Sequence, residues 1–299
     1  LKITVPPNKA AEWRGYMHFQ WYPGHMTKAR RMMQENIKLI DLVIELVDAR
    51  TPMSSKNPDI DSLAGTKARV ILLNKADLAD PAGNAAWTEC FKKKGFHVLE
   101  INARTGAGVR AVQGLVQEAC KEKIERDRRR GIKNRPIRAM VVGIPNVGKS
   151  TFINAFAGKG CTKTGNKPGV TKGKQWIRLN QNLELLDTPG ILWPRFENQQ
   201  VGERLAMIGS INDEILHADE LAAAILIYLQ KHYQGKIRER YETEESGDAY
   251  AMLKEISIQR KCFLKGEEPD LLRTSRIIVD DFRGGRLGRI TLESPEEWK

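Results

Sequence analysis

A glycine-rich segment at 143–150, GIPNVGKS, fits the phosphate-loop pattern GxxxxGK[ST]. It follows an apolar run at 137–142 and opens a stretch of helical pattern, which is the context that the motif requires. Glycines let backbone amides turn inward around phosphate oxygens, and a helix N-terminus adds free N–H groups. The pattern predicts that Lys149 reaches the β- and γ-phosphates of a nucleotide and that the Ser150 hydroxyl binds Mg²⁺. The other expected phosphate contacts are Asn146, Val147, Gly148 and Thr151.

A second motif, NKAD at 74–77, follows the apolar run 69–73 and fits the NKxD pattern of guanine-specific sites. An aspartate can accept hydrogen bonds from the N1–H and the N2 amine of guanine, which adenine does not offer in that arrangement. Ligands of parallel sheets bind at the carboxyl ends of strands, where this motif lies. We therefore interpret Asp77 as the base-selecting residue, with Asn74 and Lys75 beside it, and we favour this over a turn with an aspartate helix cap.

A weaker signal, Asn102-Ala103-Arg104, ends the run 97–101. The backbone amide of Ala103 could donate to the guanine O6 atom. An ordinary strand-to-helix turn explains the same residues equally well. We expect all three residues to contact the nucleotide.

Two further segments point to the γ-phosphate and its metal. The DTPG segment at 187–190 follows the run 183–186, and it predicts that Asp187 holds Mg²⁺ through water while the Gly190 amide senses the γ-phosphate. A DxxG match is common by chance, so its weight comes from its position after the phosphate loop. Thr171, in the segment PGVT, is a candidate for a second hydroxyl on Mg²⁺.

Apolar runs rich in β-branched residues predict buried strands at five places, with helical patterns between them. The strands are expected at 42–47, 69–73, 97–101, 137–142 and 183–186, with a sixth at 176–179 that would be antiparallel at an edge. The helices are expected at 27–40, 85–94, 107–129 and 150–157. This alternation indicates an α/β fold with a doubly wound, mostly parallel sheet.

The pattern changes near residue 200. Helical spacing continues at 201–213, 219–232, 248–262 and 269–281, and a short strand is possible at 289–292. We expect a flexible N-terminal extension at 1–16, a nucleotide-binding domain at 17–199 and a small helical domain at 200–299. Met17 is the expected native start.

Composition favours an acidic partner. The formal net charge is +12, with 34 basic against 18 acidic residues in 1–199 and 15 against 19 in 200–299. This excess favours nucleic acid, although a merely soluble basic surface gives the same count. No apolar stretch reaches the 18 residues of a membrane span. The four cysteines form no CxxC pair, which is typical of isolated thiols in a reducing cytoplasm, so we expect a cytoplasmic protein.

The order of the motifs is unusual. Small GTPases begin with the phosphate loop, whereas here the two guanine segments precede the three phosphate segments. A circular permutation leaves the site intact, because all the loops still leave the same sheet edge. Its consequence is that the γ-phosphate-sensing segment leads within about ten residues, Ile191 to Gly202, into the helical domain.

The permuted order and several segments resemble the ribosome biogenesis GTPase A family (YlqF/RbgA type) of circularly permuted GTPases. The matching segments are QWYPGHM at 20–26, LVDAR at 46–50, NKAD, the phosphate loop, DTPG and LWP at 192–194. The resemblance implies a factor that hydrolyses GTP, slowly alone and faster on the ribosome, and that promotes late maturation of an immature large ribosomal subunit. It also implies contact of the helical domain with ribosomal RNA. The alternative is a GTP-dependent switch that acts on another RNA or protein, with little intrinsic catalysis.

The hydrolytic group departs from that of Ras-like enzymes, because Ile191 stands where they carry a water-orienting glutamine. Turnover without a stimulator should be on the order of 10⁻⁴ to 10⁻² s⁻¹. His25 is the candidate replacement, and a histidine that packs or stacks on RNA is an equal alternative. Asn146 could hold a K⁺ ion between the phosphates, or be a polar loop residue without an ion.

Overall fold

A computed structural model describes residues 24–132, 135–158, 160–162, 175–193, 196, 198–212, 217–245 and 247–298, with only the backbone of Gly24 and His25. The predicted extension 1–16, Thr171 and the His25 side chain therefore lie outside the described residues. Within the described part of the chain, every helix is too short or too polar to cross a membrane.

Among the described residues, six strands form one sheet, as predicted. They are β1 Leu42–Asp48, β2 Ala68–Asn74, β3 His97–Ile101, β4 Ile137–Val142, β5 Gln175–Asn180 and β6 Leu183–Asp187. Their order is β3-β2-β1-β4-β6-β5. All neighbours are parallel except β5, which pairs antiparallel with β6 at the edge. The predicted doubly wound, mostly parallel architecture is confirmed.

The helices up to residue 157 differ from the predicted ones mainly at their ends. They are α1 Gly24–Asn36, α2 Pro58–Ala64, α3 Pro81–Lys93, α4 Val112–Ala119, α5 Lys121–Arg129 and α6 Lys149–Ala157. The sequence pattern did not predict α2, which has only seven residues and is capped by the Asn57 side chain. The expected helix 107–129 begins as a 3₁₀ turn and divides at Cys120.

Burial explains why the strands could be predicted from the sequence. All seven residues of β1 are buried, and so are the last five of β2, because helices cover both faces of the central sheet. Trp87 and Phe91 of α3 pack against this core. The edge strand β5 is mostly exposed, with Ile177 buried between exposed neighbours.

A second unit, Phe196–Ile290, is helical. Its helices are α7 Gln199–Met207, α8 Ala218–His232, α9 Lys236–Tyr241, α10 Ala249–Gln259 and α11 Leu271–Arg283. The short α9 was not predicted. Arg283 is the last residue of α11. Its side chain donates to the carbonyl oxygens of Ala206 and Met207, at the end of α7, over 2.8 and 3.0 Å.

The C-terminal residues depart from the sequence-based division. Thr291–Lys299 belong with Trp21–Arg195 to the unit that contains the six strands, the sheet unit, although we expected them in the helical domain. The possible strand at 289–292 is not a strand in the structure. The Leu292 amide instead donates to the Arg50 carbonyl over 2.7 Å, and the Thr291 hydroxyl accepts from the Asp80 amide over 3.1 Å. Burial of Leu292 and Glu293 against the sheet unit is the physical reason for this placement.

Candidate nucleotide site

Asn74 joins three loops that are far apart in the chain. Its Nδ2 atom donates to the Val147 carbonyl in the phosphate loop over 2.7 Å. Its Oδ1 atom accepts from the Ala103 amide over 3.0 Å. A Cβ atom at Gly148 would lie 2.5 Å from the Asn74 amide nitrogen, so the close approach needs glycine there. The guanine and phosphate segments therefore meet at one rim of the sheet, although the chain visits them in permuted order.

The phosphate loop holds its lysine against its own backbone. Lys149 is buried, and its Nζ atom donates to the carbonyls of Gly143 and Ile144 over 3.1 and 2.8 Å. Asn146 has a positive φ of 58° and Gly148 one of 100°, which turn the loop into the start of α6. Ser150 and Thr151 lie in the first turn of α6, where helix N–H groups are free for an anion.

Lys149 and Asp187 form a buried pair of opposite charge. Burial lowers the pKa of Lys149 to about 8, and the nearby Asp187 carboxylate opposes this shift. Burial raises the pKa of Asp187 to about 6, while Lys149 and the Thr188 backbone amide oppose it. Perturbed values of this kind are frequent at functional sites.

The residues present fit a magnesium ion. Both carboxylate oxygens of Asp187 are buried without a hydrogen-bond partner of ordinary geometry among the described residues. The Lys149 cation compensates part of the Asp187 charge, but both oxygens still lack a ligand, and a metal cation would supply one. Mg²⁺ takes hard oxygen ligands, usually one or two protein groups together with substrate phosphates. Asp187 and Ser150 supply such donors.

The DTPG segment lies directly against the phosphate loop. A Cβ atom at Gly190 would be 2.8 Å from backbone atoms of Pro145 and 2.9 Å from the Lys149 Nζ atom. The Thr188 hydroxyl donates to the Val141 carbonyl over 2.7 Å, which fixes the start of the segment. Any side chain at 190 would have to displace the loop that holds the lysine, so the glycine is required by contact.

The guanine segments are held by side chains that bond backbone groups. The Asn102 side chain accepts from the amides of Arg104 and Thr105 over 2.9 and 3.1 Å. Asp77 is one-third exposed, and the Arg104 guanidinium lies 4.0 Å from its carboxylate. The Ala103 amide, which we expected to reach guanine O6, donates to Asn74 in this structure. The contact of this amide with the base stays a prediction. It requires the amide to share its hydrogen between Asn74 and the base, or to leave Asn74.

A buried ion pair beside the NKAD motif was not identified from the sequence. Arg50 makes two hydrogen bonds to the Asp48 carboxylate over 2.9 and 2.8 Å, and Lys75 makes a third over 2.8 Å. Burial by itself would raise the pKa of Asp48, but the Arg50 and Lys75 cations hold it well below its usual range. The spacing Asp-Ala-Arg after a strand was the available signal. The ion pair holds the side chain of Lys75, whose backbone has a positive φ of 59°.

The structure thus brings most of the expected residues to one rim. Asn74, Ala103, Gly148, Lys149 and Gly190 are linked there by the contacts above. Thr171 lies outside the described residues, and for His25 only its place in α1 is described. Their roles stay predictions.

Comparison with known proteins gives consistent similarities. A family model described as "50S ribosome-binding GTPase" matches residues 138–256. "Ribosome biogenesis GTPase A" of Bacillus cereus is 47% identical over 283 residues, which are 94% of this chain and 96% of the relative. The protein of the same name from Thermotoga maritima is 30% identical, with 93% of this chain and 95% of the relative covered. A crystal structure of GNP-bound YlqF from T. maritima has a TM-score of 0.64 and 27% identity, with 90% of this chain and 99% of that one covered.

Proposed function

The chain belongs to the ribosome biogenesis GTPase A family, and from this premise we propose a GTP-hydrolysing assembly factor that binds an immature large ribosomal subunit. In this proposal it contacts ribosomal RNA and promotes a late step of subunit maturation. The observation that carries the nucleotide part is the Asn74 bridge between the guanine and phosphate loops. The basic excess of residues 1–199 supports the RNA part. A cytoplasmic location stays a prediction.

The roles that we propose for the site residues agree with this geometry. Lys149 would leave its carbonyl partners for the β- and γ-phosphates, and Asp77 would select guanine. Ser150 and Asp187 would hold Mg²⁺, which when bound neutralises phosphate charge. Gly190 would place its amide near the γ-phosphate, because it already contacts Lys149 and Pro145. Thr171 as a second Mg²⁺ ligand and Asn146 as a K⁺ ligand are further parts of this proposal.

Binding to subunits tests the function. The chain should co-sediment with free large ribosomal subunits more strongly with a non-hydrolysable GTP analogue than with GDP. The amount bound should fall steeply between 50 and 200 mM salt, because phosphate contacts release counterions. Equal, salt-independent co-sedimentation in both nucleotide states would contradict the proposal.

His25 is tested by the stimulated reaction. His25→Ala should remove the increase in GTP turnover caused by large subunits, since no glutamine follows the DTPG segment. GTP affinity should stay unchanged. Unchanged stimulated turnover in this variant would exclude His25 from the mechanism.

The pKa of Lys149 predicts a pH dependence of nucleotide binding. In the free protein this pKa is about 8, and polyanionic phosphates would raise it, so binding takes up a proton above pH 8. GTP affinity should be level near pH 7 and fall by up to about tenfold per pH unit above 8, as linkage requires. Calorimetry in buffers of different ionisation enthalpy measures the uptake directly.

Lys149→Arg provides the matched control for that experiment. A guanidinium stays charged throughout this range, so the variant should bind more weakly but without the dependence. The same proton uptake in the arginine variant would assign the titration to another group.

A further inference from the structure

One corner of the sheet carries exposed aromatic and basic side chains. Trp176 and Arg178 alternate with the buried Ile177 on the edge strand β5, so they point to the same face. Trp176 is 38% exposed, so part of its ring faces solvent. Arg178 forms no ion pair with the described residues, and Glu184 of β6 lies opposite it in register.

A cavity of about 290 Å³ opens at this corner, lined by Leu39, Arg138, Trp176, Arg178 and Glu184. The Arg138 guanidinium lies over the Trp176 ring, 5.4 Å from its centroid. Arg138 also donates to the Glu184 carboxylate over 3.1 Å, which fixes its position. The volume is close to the lower limit of small-ligand pockets. The cavity is therefore a shallow aromatic pocket with two arginines and one carboxylate.

The pocket is lined by different residues from the nucleotide rim, and part of it lies at the other end of the strands. Arg138 and Glu184 stand near the amino ends of β4 and β6, whereas the phosphate segments follow the carboxyl ends of the same strands. Trp176 pairs with Leu186, next to Asp187, so the pocket extends from the amino ends of these strands towards the nucleotide rim.

Exposed cations continue from this corner. Asp41, just before β1, accepts from the Arg138 amide over 3.0 Å and lies 3.7 Å from both Arg135 and Lys123. It thereby ties the segment after α5 to the base of the sheet. Arg128, Arg129 and Arg130 at the end of α5 are exposed, and none forms an ion pair with the described residues. They lie in the chain between Lys123 and Arg135, the two cations beside Asp41. The pocket thus has positively charged surroundings.

We propose that this pocket and its basic surroundings are a docking site for single-stranded RNA on the GTPase unit itself. An unpaired base stacks on Trp176, and the arginines contact the adjoining phosphates. Tryptophan beside arginine suits a nucleobase, because every base offers a π-face and the guanidinium adds a cation–π contact. An acidic protein would use the charges but would not need the ring. The inference rests on the proposed function in one respect, that the ribosome supplies the RNA.

The test uses the full chain saturated with GDP, so that the nucleotide site is occupied, and a fluorescein-labelled oligoadenylate of 12 nucleotides. Fluorescence anisotropy across a salt series gives the dissociation constant and its salt slope. Trp176→Ala should weaken binding by about 5- to 100-fold with an unchanged slope, since stacking carries no charge. Arg178→Ala should reduce the slope by about 0.7, the value for one phosphate contact on a single strand.

Lys92→Ala is the matched control. Lys92 is an exposed cation near the end of α3, which packs beside β3 at the other edge of the sheet. Its removal should change neither the affinity nor the slope by more than a small amount. GDP affinity, measured in parallel, should be unchanged in all three variants.

Two results would overturn the inference. They are a dissociation constant for Trp176→Ala within twofold of the unchanged protein, and an equal loss of slope in the Arg178 and Lys92 variants. Neither result affects the proposed function, which is tested separately by nucleotide-dependent co-sedimentation with subunits. Conversely, a failure of co-sedimentation leaves the oligonucleotide result to stand as evidence of RNA binding.

Discussion

Asn74→Ala is expected to weaken the binding of GTP and of GDP alike, by at least about 30-fold. The side chain makes two buried hydrogen bonds to backbone groups of other loops. Each buried group left without its partner costs about 1–3 kcal/mol, so the total is about 2–6 kcal/mol. Because the loops of the free variant can separate, nucleotide binding has to bring them together again and bears this cost. The lower limit of about 2 kcal/mol is a factor of about 30 in affinity, since about 1.4 kcal/mol is a factor of ten.

The affinity for both nucleotides should fall, because the Asn74 side chain orders the base and phosphate loops together. Losing it frees the Val147 carbonyl and the Ala103 amide, and the two loops can then separate. Calorimetric titration of the nucleotide-free variant with GTP and with GDP measures the change.

Asn84→Ala is a fair control for this variant. Asn84 is also buried, and its side chain donates to the Ala76 carbonyl of the NKAD loop over 3.0 Å, but it does not reach the phosphate loop. It should lower thermal stability with a much smaller change in affinity. Equal losses of affinity in the two variants would show that the bridge has no special role.

Glu293→Ala is expected to lower the melting temperature of the nucleotide-free protein by about 10 °C. The Glu293 carboxylate is buried and accepts from the backbone amides of Met53 and Ser54 and from the Ser54 hydroxyl. Hydrogen bonds to a charged group contribute about 1.5–3 kcal/mol each. Allowing for non-additivity, we expect a loss of about 3–5 kcal/mol, at about 2–4 °C per kcal/mol for a unit of this size.

The loss should be large because Glu293 fastens the C-terminal residues to the sheet unit. The Glu293 carbonyl also accepts from the indole of Trp87, a fully buried side chain of the core, over 3.0 Å. Replacement of the carboxylate leaves two backbone amides without an acceptor and weakens the hold on this region. Differential scanning calorimetry of the nucleotide-free protein gives the shift.

Glu296→Ala serves as the comparison, since Glu296 is an exposed glutamate three residues further along the same segment. Its replacement should shift the melting temperature by no more than a degree or two. If the Glu293 and Glu296 variants had the same melting temperature, the C-terminal segment would contribute little to the stability of the sheet unit.

Segment 50–57 of the sheet unit contacts the chain on both sides of the helical unit in sequence. The Leu292 amide donates to the Arg50 carbonyl, and the Asn57 side chain donates to the Ile191 carbonyl over 3.2 Å. Ile191 directly follows the DTPG segment, and Leu292 lies two residues after the helical unit ends. The segment 50–57 therefore contacts the chain just before it leaves the sheet unit and just after it returns.

The sequence by itself determined the strands and the chemical motifs. Strands such as β1 and β4 were readable because a central strand of a covered sheet is apolar along its length. The phosphate loop and NKAD were readable because each depends on consecutive residues at the end of a strand. The short helices α2 and α9 were missed, because six or seven residues give too few turns for a helical period to appear.

Only the tertiary structure decided which distant groups hold these motifs in place. Asn74 finds its partners 29 and 73 residues along the chain, and Glu293 finds Ser54 at a separation of 239. Such hydrogen bonds leave no local pattern, because their geometry is set by the packing of whole strands and loops. For the same reason the sequence placed 291–299 with the neighbouring helices, whereas burial of Glu293 and Leu292 places these residues with the nucleotide-binding sheet.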